Sequence, residues 1–222
     1  MKKIYSLFVL LFLTINIANA GLLPVGGYIG IRGGTSSGGL SSTASVAGGA
    51  GKAITESKPH VFGSVNAGLR LSLPFFNTFR IEAEGLGRYN GLNLKLKGSD
   101  DGSKVLDQDI SSVSGLVNVY YDVIDLPFIR GFVGGGIGYT KFTTDFVKNI
   151  GGGEGAKVEM TKDGALAYNI GVGVTATLLD ILSVDVGWRY FNQGEFKLKI
   201  GDTTAKLDAV SSDIYAGVRI GF

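Results

Sequence analysis

Phe79-Arg80-Ile81-Glu82-Ala83-Glu84-Gly85-Leu86-Gly87-Arg88-Tyr89-Asn90 is the stretch on which the fold turns. Successive residues of a β-strand point to opposite faces of the sheet. As a strand, this segment puts Phe79, Ile81, Ala83 and Tyr89 on one face. Arg80, Glu82, Glu84, Arg88 and Asn90 fall on the other. One face is apolar and the other ionic, so the question is which of the two meets solvent.

Working outward, the same period recurs. In His60–Leu73, Val61, Val65, Ala67, Leu69 and Leu71 oppose Ser64, Asn66, Arg70 and Ser72. In Ser112–Asp122, Val113, Val117, Val119 and Tyr121 oppose Ser114, Asn118, Tyr120 and Asp122. Gly164–Leu178, Ser183–Phe191 and Ala209–Phe222 alternate likewise, and Val25–Gly34 and Phe128–Phe142 complete eight segments. Each is near or above the ~9–11 residues a tilted membrane strand needs. The connections alternate too. Gly34–Pro59, Gly91–Ser111, Thr143–Asp163 and Asn192–Asp208 are long, whereas Pro74–Thr78, Val123–Pro127 and Leu179–Leu182 are short. Bacterial membrane barrels have this rhythm, with short inner turns and longer outer loops. An even strand count puts both termini on the short-turn side, which is periplasmic in such barrels.

The arginines decide which face is wet. All seven, Arg32, Arg70, Arg80, Arg88, Arg130, Arg189 and Arg219, fall inside strand segments on the parity opposite the apolar set. The mature lysines fall in or beside the long connections. An arginine facing lipid at the bilayer midplane costs about 2–4 kcal/mol. Facing inward, the arginines can pair with Glu82, Glu84, Asp122, Asp185 and Asp213, and the guanidinium fork suits a carboxylate. Seven cations against five acids leaves an imbalance. Inward glycines, Gly134, Gly136, Gly138, Gly171 and Gly173, should leave room for the arginines. Aromatics on the apolar parity form two bands: Phe79, Tyr121 and Phe222 near the short turns, and Tyr89, Tyr139, Tyr168 and Tyr190 near the long connections. Such girdles mark the two membrane interfaces. The competing reading is a soluble secreted barrel or sandwich with the apolar parity inside. It leaves the bands and the loop rhythm unexplained.

The start of the chain is a targeting segment. Lys2 and Lys3 precede an apolar run from Ile4 to Ile17, and Ala18-Asn19-Ala20 has the small-x-small form of a cleavage site. Cleavage is expected between Ala20 and Gly21, giving a signal peptide over 1–20 and one barrel domain over 21–222. A membrane anchor is the alternative, but the run is shorter than the ~20 apolar residues a spanning helix wants.

Three stretches carry a family resemblance: Asn118-Val119-Tyr120-Tyr121-Asp122-Val123, Phe132-Val133-Gly134-Gly135-Gly136-Ile137-Gly138-Tyr139 and Val184-Asp185-Val186-Gly187-Trp188-Arg189-Tyr190-Phe191. With the C-terminal Ile214–Phe222 they resemble the small outer-membrane β-barrel family of OmpA-type, OmpX-type and Opa-like surface proteins. The resemblance implies an all-β, eight-stranded antiparallel up-and-down transmembrane barrel, with Phe222 as the signal to the barrel-assembly machinery. It says little of activity, because fold does not dictate function.

The chemistry is sparse. No cysteine is present, which removes disulfides, thiol nucleophiles and cysteine-based zinc sites. The only histidine, His60, lies at the rim with no nucleophile motif to pair with. The run Gly134–Gly138 lies in a strand with no helix after it and lacks the context of a phosphate loop. A net charge of +2 offers no global field for nucleic acid. No cofactor or metal is expected. The expectation is a monomeric, non-catalytic outer-membrane protein, in contact with outer-membrane lipid and meeting host or envelope ligands through its loops. A narrow porin-like channel for ions or small solutes is the alternative. Phe196–Ile200 places its apolar residues on the lipid parity of the seventh segment, so either a bulge intervenes or a neighbour covers that leg.

Overall fold

In the computed structural model the described residues are 25–46, 49–53, 60–72, 77–96, 104–144, 158–162, 164–179, 181–200 and 203–222. The expected cleavage site at Ala20 and Gly21 and the loop-tip glycines at 151–153 lie outside them. The strands are β1 (Val25–Val46), β2 (Gly49–Ala53), β3 (His60–Ser72), β4 (Thr78–Leu96) and β5 (Lys104–Asp125). They continue as β6 (Ile129–Thr144), β7 (Val158–Lys162), β8 (Gly164–Leu179), β9 (Leu182–Ile200) and β10 (Thr203–Gly221).

Eight of these close a barrel in the order β10-β1-β3-β4-β5-β6-β8-β9, with β9 pairing back to β10 and every pair antiparallel. Closure leaves no unpaired edge, as a spanning sheet in lipid requires. Paired residues followed once around run from Ile29 through Ala67, Ala83, Val117, Ile137, Tyr168, Asn192 and Val210 to Gly39. The circuit returns ten residues along β1 from its start, a stagger that tilts the strands by about 40°. An eight-stranded bore is just wide enough to be filled by side chains. The terminal Phe222 is inside the ladder: its N–H donates to Gly27 O at 2.9 Å, and Gly27 N–H donates to Phe222 O at 3.0 Å.

The apolar parity faces outward on every barrel strand. Ile31, Val65, Val117, Ile137, Ile170, Val186 and Ile214 are all exposed, and Ile137 is 67% so. The inward parity carries the charges: Arg80, Glu82, Asp122, Asp185 and Asp213 are each no more than 1% exposed. A soluble barrel would have these reversed. An apolar belt that runs around the whole circumference needs a hydrocarbon solvent.

The first long connection corrects the expectation of a loop from Gly34. β1 continues to Val46, paired with β10 as far as Ser45 opposite Thr204, while Ser42 to Val46 also pair with β2. Ser, Thr, Ala and Gly give no alternation to detect there, and the ladder to β10 holds them extended. The β4–β5 ladder also continues past Tyr89 to Leu96 opposite Lys104, about 20 Å beyond the tyrosine band at strand rise.

The choice over Phe196–Ile200 is resolved by a bulge. Ala209 pairs with Gly194 and Val210 with Asn192, so Gln193 is left over on β9. Gly194 has φ 88°, a left-handed conformation that glycine adopts without strain, and its N–H donates to Asn192 Oδ1 at 2.7 Å. Beyond the bulge the parity inverts. Phe196, Leu198 and Ile200 fall in register with Leu207, Ala205 and Thr203, which continue the line of the inward Ala209 and Ser211.

Candidate functional site

The lumen holds the buried charged side chains of the described residues. At its centre Arg32 (β1) meets Glu82 (β4) through two parallel hydrogen bonds, Nη1 to Oε1 at 2.6 Å and Nη2 to Oε2 at 2.8 Å. The Tyr28 hydroxyl also donates to Glu82 Oε2, at 3.0 Å. Arg32 Nη1 lies 3.8 Å from Glu84 and Nη2 lies 3.9 Å from Asp185. Toward the long connections, Arg189 Nη1 donates to both oxygens of Glu84 at 3.1 Å and Nε donates to Asp213 at 3.0 Å. Arg88 Nη2 donates to the same Asp213 oxygen at 2.7 Å, and Nη1 donates to Ser36 and Ser211. Asn118 donates to Glu84 and accepts from Asn169, which extends the network to β8.

Toward the short turns, Arg80 Nη2 donates to Asp122 at 3.2 Å, and Arg130 Nε lies 3.8 Å from the other oxygen of that carboxylate. Arg219 Nη2 donates to Asp185 at 2.7 Å and to Thr175 at 3.1 Å. Arg70, half-buried, has no carboxylate within ion-pair distance among the described residues. The inward line therefore carries all twelve charged residues singled out in the sequence. Among the described residues, Arg32, Arg88 and Arg189 are matched by Glu82, Glu84 and Asp213, while Arg70, Arg80, Arg130 and Arg219 have Asp122 and Asp185, the latter also 3.9 Å from Arg32.

The guanidiniums also lie against rings, of which the alternation had placed Tyr120 on the inward face. Arg32 lies 5.7 Å from the Tyr120 ring centroid and 5.5 Å from that of Tyr215. Arg80 lies 4.6 Å from Phe132, and Arg88 and Arg189 both lie against Phe62 and Phe191. A planar, weakly hydrated cation can use such faces where an ammonium could not. Phe62, Phe191 and Tyr215 join Leu86, Leu116 and Ala167 in a buried apolar cluster across the bore. Leu86 and Leu116 sit on the inward parity of polar strands, a local exception to the alternation.

The glycine expectation needs correction. Added β-carbons at Gly134, Gly136 and Gly173 would strike Tyr120, Asn118 and Phe132, not an arginine, and at Gly138 the backbone of β5. Of the five, only Gly171 borders one, Arg189; Arg219 and Arg32 instead crowd Gly30 and Gly217. His60 begins β3, half-buried, opposite Ser36 in register.

No family model matches the chain, and no curated protein matches its sequence. Solved structures do match. The outer membrane protein OprG from Pseudomonas aeruginosa aligns with TM-score 0.59 at 14% identity, covering 88% of this chain and 96% of that one. Neisserial surface protein A aligns with TM-score 0.51 at 15% identity, covering 88% and 97%. Identities this low carry fold and nothing finer. The closed eight-strand circuit, the apolar belt and these two alignments agree: this chain has the fold of the small outer-membrane β-barrels.

Proposed function

We propose that the protein is an integral, non-catalytic outer-membrane barrel that displays its long connections at the cell surface for adhesion or recognition. In this reading the chain is cleaved after Ala20. The barrel-assembly machinery reads the C-terminal strand ending in Phe222, and the barrel stays monomeric with both termini in the periplasm. Recognition falls to the extended ladders beyond the tyrosine band, because loops on a rigid scaffold commonly carry binding.

The observation that supports this is the filled bore. The Arg32–Glu82–Glu84–Arg189–Asp213 network and the Phe62–Leu86–Phe191 layer occupy the cross-section in succession, so the barrel wall is a support for what projects from it. A narrow channel would need these side chains to leave the lumen, at the cost of unpaired buried charge.

Two measurements test the reading. Planar bilayers containing the refolded protein should be nearly silent, and steady ion conductance would favour the channel. Removing all four long connections should leave a heat-modifiable barrel in outer-membrane fractions that no longer adheres to host or envelope material. Undiminished adhesion would refute loop-borne recognition.

A further inference from the structure

The charges of the lumen are not evenly matched along its length. From the central Arg32–Glu82 pair toward the long connections the charges are balanced, three arginines against three carboxylates among the described residues. Among the described residues, the half toward the short turns has Arg70, Arg80, Arg130 and Arg219 against the buried Asp122 and Asp185. The positive charges of Arg130, Arg219 and Arg80 press on Arg70, and the Asp122 carboxylate acts against them. Asp125, at the end of β5, is exposed.

A cavity of about 200 Å³ opens at this end, lined by Gly26, Tyr28, Arg70, Ser183, Arg219 and Phe222 among others. Arg219 is 2% exposed, and its Nη1 has no hydrogen-bond partner among the described residues. Gly26 stands directly across the ladder from Arg70, and a β-carbon there would meet nothing within 4 Å. A space lined by two arginines, one with an unused buried donor, suits a group that brings several acceptors and negative charge. A small excess of buried positive charge is costly unless a counter-ion shares the site.

We propose that the cavity between Arg70 and Arg219 binds a small oxyanion, a phosphate or carboxylate group, which completes the charge balance of the short-turn half. The site is separate from the long connections and does not depend on which compartment the short turns face. Its oxyanion is either a free solute or a lipid headgroup phosphate.

The test uses the full mature chain folded in zwitterionic detergent, with inorganic phosphate as probe and chloride at equal ionic strength as reference. Saturable phosphate binding by calorimetry or ³¹P resonance broadening is expected. Arg70→Gln removes a guanidinium that holds no ion pair among the described residues, so folding should survive while phosphate binding weakens about ten- to a hundredfold. Gly26→Glu places a carboxylate opposite Arg70 and should fold normally and take up no phosphate. In nanodiscs, phosphate binding that added phosphatidylglycerol does not displace identifies a soluble anion. Thermal protection by added phosphatidylglycerol, lost in Arg70→Gln, identifies a headgroup. Equal responses to phosphate and chloride, an adventitious ion only, would overturn the proposal. So would phosphate binding by folded Arg70→Gln or Gly26→Glu that matches the unaltered protein.

Discussion

Arg32 and Glu82, fifty residues apart in the chain, meet in the middle of the bore as a two-pronged pair whose side chains are 2% and 0% exposed. A pair of this kind is weak evidence for stability when compared with an apolar replacement, but removing one partner strands a buried charge. Glu82→Ala should therefore lower unfolding free energy by about 3–5 kcal/mol, measured by urea titration from lipid vesicles. Replacing both residues with apolar ones of similar volume should recover most of that loss. Additive losses in the double variant would mean that the two do not act as a pair.

Gly138 and Gly115 face each other's strands from opposite sides of the wall, and substitution should separate them. A β-carbon at Gly138 would press into the Gly115 carbonyl and lie 2.8 Å from Leu116 Cα. Gly115 faces lipid with nothing within 4 Å. Gly138→Val should destabilise by about 1–3 kcal/mol through overpacking. Gly115→Ala should be neutral or stabilise by about 0.4–1 kcal/mol by restricting the unfolded chain. Equal effects in the same urea titration would contradict the packing described.

Depth in the membrane should be readable from arginine scanning. Val117 lies midway along the lipid-facing line of β5, and Val61 lies opposite Tyr89 in the tyrosine band. Val117→Arg should cost about 2–4 kcal/mol and Val61→Arg about 0–1 kcal/mol. The reverse order would displace the hydrocarbon zone from where the aromatics put it.

The parity of Val61, Ile81, Val117 and Ile214 was legible in the sequence because sidedness needs only a period of two, and closure followed from eight such segments. The pairing of Arg32 with Glu82 was not, since register around a closed sheet depends on turns and bulges that leave little trace in the alternation. Gln193 shows why: a single extra residue beside Gly194 inverts the parity of everything after it on β9. Phe62, Phe132 and Phe191 escaped notice for a related reason. Aromatic rings on the inward parity contradict a polar lumen until the guanidiniums they stack on are placed beside them. The outer part of β1, rich in Ser, Gly and Ala, carries no apolar alternation, and its ladders to β10 and β2 make it strand.

The central claim is that hydrocarbon surrounds this barrel and charge fills it. The chain has no native cysteine, so single cysteines at Val172, Val218, Asn169 and Arg219 can be spin-labelled one at a time in lipid vesicles. Val172 and Val218 are exposed, whereas Asn169 and Arg219 are buried. Labels at the first two should be relaxed strongly by lipid-dissolved oxygen and labels at the last two should be shielded from it. Oxygen contact at Asn169 and Arg219 with shielding at Val172 and Val218 would contradict the account.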